Sequence, residues 1–176
     1  IGLAALHILN RDKNAIMGIY PADHMITGDE QFQTVITKAR KMVEKESVLM
    51  TIGIKPTYPA LGYGYIKYDT MNKSGIEGVN KIDSFTEKPE EATAKKYFHS
   101  NEFLWNTGMF IWKAAVVIQE MKTYMNKLYN SLEAISDVLL TTRYIKVLNK
   151  EWQLIQAESI DYGLLEKADN IYVVSS

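Results

Sequence analysis

The sequence predicts an α/β protein built on a mixed, mostly parallel sheet, and three observations carry that prediction. Short apolar runs end at turn-forming residues: AIMGIY stops at Pro21, and SVLMTIGI stops at Lys55-Pro56. Stretches with apolar residues at helical spacing alternate with those runs, as in β-α-β units. Two hairpin-like strands, YGYIKYD and KIDSFTEK, lie mid-chain, joined by the turn-rich MNKSGIEG, and add an antiparallel insertion.

Each element follows from local pattern. Ile1, Leu3, Ala4, Ala5, Leu6, Ile8 and Leu9 give a buried helix over 1–11, already under way at the first residue. Residues 15–20 read as a buried strand. Thr27 and Glu30 have capping-box spacing. Phe32, Val35, Ile36, Ala39, Met42 and Val43 then predict an amphipathic helix over 28–46. Pro89 starts a helix over 90–99, since Pro suits the first helical turn. FLWNTGMFIW, 103–112, is a strand or a strand with a bulge. Ala114, Val117, Ile118, Met121, Tyr124, Met125 and Leu128 predict the next helix, more helix fills 130–168, and IYVV is a final strand.

Composition bounds the function. With 176 residues, 47% apolar content and 23% charged content, the chain can bury a real core as one domain, 1–176. A net charge of −1 and no block of Lys and Arg give no reason to expect a nucleic-acid or membrane surface. The absence of Cys removes thiolate metal sites and cysteine nucleophiles, and fits a reducing cytoplasm, the expected compartment. No apolar run reaches the roughly 18 residues of a membrane span. The opening on a helix with no Met, and the close on a strand, lead us to expect a piece of a longer protein.

Five stretches could carry chemistry. Asp23 of PADH follows a strand end, where open α/β sheets bind ligands; it either holds Mg²⁺ or only caps the turn. Glu87 and Lys88 of FTEKP could take sugar hydroxyls and a phosphate, or form a surface ion pair. The glycines of GYGYI, Gly64 among them, permit close approach to a ligand or a twisted strand entry. Asn106, Thr107 and Gly108 interrupt a run of bulky residues, giving either a sugar-contacting notch or a bulge whose Asn satisfies its own backbone. Asp161 stands near a helix start in SIDYGLLEKA, where capping by Ser159 or Asp161 is the simpler reading. No glycine-rich loop able to cradle a triphosphate is present in the sequence.

Taken in order, PADHMI, TIGIKPTYPALGYGYI, FTEKPE, FLWNTGMFIW and SIDYGLLEKADNIYVV resemble the mannose-1-phosphate guanylyltransferase, or GDP-mannose pyrophosphorylase, family. The resemblance runs almost end to end. It implies a Rossmann-like nucleotidyltransferase fold. It implies guanylyl transfer from GTP to mannose 1-phosphate, with Mg²⁺ as cofactor and release of pyrophosphate. Carried over residue by residue, it puts Asp23 on the metal, Gly64 and Glu87 at the sugar, Lys88 on the sugar phosphate, and Asn106 against the sugar with Thr107 and Gly108 shaping that wall. Asp161 is carried over as a weaker substrate contact.

Two family features are absent from the sequence. The glycine-rich loop would lie upstream of Ile1, and a second metal-binding Asp, in an Asp-x-Gly-x-Trp stretch, just past Ser176. The chain by itself is therefore expected to have no turnover. Leu61 also replaces a small hydroxyl residue common in the family. Transfer to another sugar 1-phosphate, and a non-catalytic binding or regulatory subunit, are the alternatives. A homodimer is the assembly weighed for the chain.

Overall fold

The computed structural model describes the backbone of residues 1–176 and the side chains of all but 70–73. The chain divides into two compact units. One comprises Gly18–Trp112 with Asp169–Ser176, the other Ile1–Met17 with Lys113–Ala168.

The first unit is built around the sheet. Its strands are β1 (Ile16–Ile19, whose first two residues fall in the other unit), β2 (Leu49–Ile54), β3 (Tyr65–Lys73), β4 (Val79–Thr86), β5 (Phe103–Lys113, whose last residue falls in the other unit) and β6 (Ile171–Ser175). They run in the order β1-β5-β2-β6-β4-β3, and β3 also pairs with the start of β5. The sheet is mixed, but less parallel than the alternation of elements suggested. β2 and β6 run parallel, whereas β2–β5, β3–β4, β3–β5 and β4–β6 are antiparallel. The cause is local: β3 and β4 form a hairpin, and β5 enters antiparallel to two neighbours.

Helix α2 (Asp29–Lys45) packs on β2 and β6 through the stripe Val35, Ala39, Met42 and Val43. The predicted Thr27–Glu30 capping box does not form. Gly28 is the N-cap, in the left-handed region at φ 87°, and no side chain caps the helix. Helix α3 (Glu91–Ser100) begins after Pro89, with Glu90 as its N-cap, so Pro89 precedes the helix instead of opening it. Its Ala94 and Tyr97 join Tyr65, Phe103, Trp105 and Ala60 in one apolar cluster. The Tyr65 ring is fully buried, and its hydroxyl donates to the Ala60 carbonyl at 2.9 Å, tying the loop before β3 to the sheet.

The second unit holds α1 (Gly2–Arg11), α4 (Ala114–Tyr124), α5 (Asn126–Ser136) and α6 (Tyr144–Trp152). The apolar pattern that predicted one helix through Leu128 spans a break at Met125, where the backbone turns to φ −126°, ψ 50°. Met125 is buried and would collide with any side chain at Gly163, so tertiary packing and not a helix breaker accompanies that break. Helix does not fill 130–168 either: residues 153–159 are non-helical up to a single π-helical turn, Asp161–Leu165. Among the described residues no helix is long and apolar enough to cross a membrane.

Candidate functional site

Three predicted residues meet at one corner of the sheet unit. Gly64 ends the loop before β3, Glu87 follows β4, and Asn106 lies in β5. The Asn106 N–H donates to the Gly64 carbonyl at 2.8 Å, continuing the β3–β5 ladder by one residue. A Cβ placed on Gly64 would meet Glu87 Oε2 at 2.6 Å, Phe85 Cζ at 3.1 Å and Asn106 Cβ at 3.4 Å. The carboxylate as it stands occupies the space beside a bare Cα, and a side chain at residue 64 would require it to shift.

The Glu87 side chain is 10% exposed, and Lys88 Nζ stands 3.3 Å from its Oε1 while remaining open to solvent. The surface ion pair that spacing alone suggested is therefore formed, with its acid largely buried. Lys88 adopts φ 43°, in the left-handed region that L side chains avoid. Such strain concentrates where a backbone is held for function.

The NTG segment is a bulge stapled by its own side chains. Between the pairs Thr51↔Phe110 and Gly53↔Asn106, β2 has one residue and β5 has three. Gly108 takes φ 70° to turn the bulge. Thr107 Oγ1 donates to the Ile52 carbonyl at 2.8 Å and accepts from the Met109 N–H at 3.3 Å. Asn106 Oδ1 accepts from the Gly108 N–H at 3.3 Å and from Thr51 Oγ1 at 2.7 Å. The bulge reading of NTG thus holds, and the Thr107 hydroxyl works within it. The same bonds orient Asn106 beside Gly64.

Pro21 Cγ would lie 3.5 Å from a Cβ on Gly108, so the PADH turn leaves β1 against the bulge. Asp23 and His24 in that turn are exposed. Among the described residues no three His, Cys, Asp or Glu gather as a metal site. A lone exposed carboxylate does not make a closed cage. It does suit a hard ion that completes its shell with water and substrate phosphates.

Asp161 belongs to the other compact unit, where it opens the π-helical turn. Ser159 Oγ accepts from the Tyr162 N–H at 3.3 Å, so Ser159 supplies the local capping contact that the sequence suggested.

Two features escaped the sequence reading. Thr51 is fully buried in mid-strand, and its hydrogen bond to Asn106 gave no signal beyond a lone Thr in an apolar run. The rings of Tyr58 and Tyr63 each pack 5.0 Å from Trp105, edge-on and tilted, although both tyrosines are about half exposed. Burial and the neighbouring Tyr63 raise the Tyr58 phenol above its ordinary pKa.

Comparison with known proteins places this architecture. The family model described as nucleotidyl transferase matches residues 3–153. This chain belongs to the nucleotidyl transferase family. Within it, a protein of Salmonella montevideo named mannose-1-phosphate guanylyltransferase is 35% identical over 177 residues, covering 99% of this chain and 37% of that protein. The chain thus spans little more than a third of the length of the curated relatives it matches. A solved structure from Helicobacter pylori, named mannose-6-phosphate isomerase, has a TM-score of 0.82 at 26% identity, over 99% of this chain and 66% of that one. One from Thermus thermophilus, named mannose-1-phosphate geranyltransferase, also scores 0.82, at 24% identity over 98% of this chain and 48% of that one, and shows the fold alone. The resemblance drawn from the five sequence stretches holds, and so does the α/β nucleotidyltransferase fold it implied.

Proposed function

We propose that the protein carrying this nucleotidyl transferase chain transfers guanylyl from GTP to mannose 1-phosphate, giving GDP-mannose and pyrophosphate. The observation that carries this reading is the corner where the Glu87 carboxylate stands over the bare Cα of Gly64, beside the oriented amide of Asn106. A recessed carboxylate next to an amide is a hydroxyl-reading pair, because one accepts and the other can donate. Lys88 sits at the solvent side of that pair and brings a point charge for the sugar phosphate. The sugar phosphate oxygen then attacks the α-phosphorus in line, with pyrophosphate leaving. No side chain acts as nucleophile, and positioning and charge neutralisation do the work.

Mg²⁺, when bound, would neutralise developing charge on the phosphates. Asp23 is the residue we assign to it, since its turn opens beside the bulge. The choice of guanine and of mannose rests on the similarity to the Salmonella protein and on the five matching stretches. The isolated chain, 1–176, turns over nothing in this reading.

The test is pyrophosphate release by the product of the full reading frame. It is run with Mg²⁺, mannose 1-phosphate and each of GTP, ATP, UTP and dTTP. A GTP-selective signal lost in Asp23→Ala supports the reading. A signal selective for another nucleotide or another sugar phosphate moves the substrate assignment. Silence with all four, despite intact sugar phosphate binding, favours a non-catalytic subunit.

A further inference from the structure

We propose that Thr51 is a positioning residue for the sugar subsite. With the Gly108 N–H it locks the Asn106 carboxamide, so that Nδ2 and not Oδ1 is the edge a sugar hydroxyl meets. The inference rests on the sugar-site reading given above and assigns the direction of one of its hydrogen bonds.

Thr51 is fully buried in the middle of LMTIGI, an otherwise apolar strand. A valine would fill the same space without a hydroxyl to satisfy, and burying a hydroxyl is unfavourable unless it is bonded. The hydroxyl has one proton and two acceptors in reach: Asn106 Oδ1 at 2.7 Å and the Met109 carbonyl at 3.1 Å. Those distances alone do not fix the amide, because a rotated hydroxyl could accept from Nδ2 and donate to Met109.

The Gly108 backbone decides. Its N–H can only donate, and it faces the same Asn106 atom at 3.3 Å. A reversed amide would set donor against donor there. Oδ1 therefore holds both Thr51 and Gly108, and the planar carboxamide keeps Nδ2 on its other edge. An untethered asparagine could turn either edge to a ligand. This one is committed to donate, so the hydroxyl it meets must accept. A site built to bond a hydroxyl rejects the analogue that lacks it.

The experiment measures binding of mannose 1-phosphate and its monodeoxy analogues to the full reading frame's product by calorimetry. The variants are Thr51→Val, Thr51→Ser and Asn106→Ala. Wild type should discriminate against one deoxy analogue in a way that Asn106→Ala abolishes. Thr51→Val should weaken mannose 1-phosphate about tenfold, the worth of one hydrogen bond. It should shrink that one discrimination by a similar factor, and leave the other analogues' ratios and the nucleotide affinity within about twofold of wild type. Thr51→Ser should restore both.

Thr51→Ala lacks the hydroxyl and adds no bulk, so it carries the same expectation should the valine variant not fold. Wild-type discrimination in both hydroxyl-less variants overturns the inference. So does a uniform loss of affinity for every analogue and the nucleotide, which is what a merely structural threonine would give. A wild-type protein that binds none of the sugar phosphates overturns the site reading itself, and this inference with it.

Discussion

The carboxylate of Glu87 stands where the first side-chain atom of residue 64 would be: a Cβ on Gly64 would meet Oε2 at 2.6 Å. Two residues more than 20 positions apart thus share one space, and a side chain at residue 64 would displace the acid from it. Asn106, bonded through its N–H to the Gly64 carbonyl, joins them from a third strand. The sheet pairing of β3 with β4 and β5 brings this corner together.

Gly64→Ala tests the corner directly. Gly64 is not in the left-handed region, so alanine is acceptable to the backbone, and the clash falls on the Glu87 carboxylate and the Phe85 ring. The expected outcome is a folded protein whose KM for mannose 1-phosphate rises on the order of 10- to 100-fold, the scale of a misplaced binding group. KM for the nucleotide should stay near wild type. Steady-state kinetics of the full reading frame's product, beside a thermal melt, check it.

Lys88 separates charge from backbone strain. Lys88→Ala removes the ammonium but leaves a Cβ at φ 43°, whereas Lys88→Gly removes both. The glycine variant should be more stable than the alanine variant by about 1 kcal/mol, read from denaturant midpoints at equal slope. Both should lose sugar phosphate affinity to the same extent. Equal stability of the two would contradict the strain, and unequal affinity would show that the backbone and not the charge binds the phosphate.

Gly108 makes a different prediction, because its neighbours leave room. The nearest atom to an added Cβ is Pro21 Cγ at 3.5 Å, an ordinary contact, so the cost of Gly108→Ala comes from φ 70° alone. A loss of about 1–2 kcal/mol is expected. Gly108→Asn should lose less, since asparagine tolerates that region. Thermal melts of the three proteins give the order.

Much of the fold was legible in the sequence because burial writes a period. The helix at 28–46 and the strands SVLMTIGI and FLWNTGMFIW emerge within a residue or two of their predicted bounds. Capping was less legible: Thr27 and Glu30 have the right spacing, but the helix starts from a left-handed Gly28, and a spacing carries no φ angle. The Met125 break was hidden because apolar periodicity runs straight through it.

At the candidate site, the residue types were legible and their convergence was not. Glu87 and Lys88 looked like a surface pair, and the pair forms, but no local pattern says that its acid is recessed over Gly64. For NTG, a bulge was one of two readings that the residue types allowed, and the bulge forms. Its staple to Thr51 spans 55 residues and depends on strand register, which a sequence pattern does not contain.

The measurement that reaches the central claim most directly is the dissociation constant of mannose 1-phosphate for wild type and Glu87→Gln, by calorimetry on the full reading frame's product. The substitution keeps the shape and removes the charge. A charge-assisted hydrogen bond lost at a recessed site predicts affinity weaker by about tenfold or more, with the melting temperature little changed. Equal affinity in the two proteins would contradict the account, and the corner of Gly64, Glu87 and Asn106 would then not be where the sugar binds.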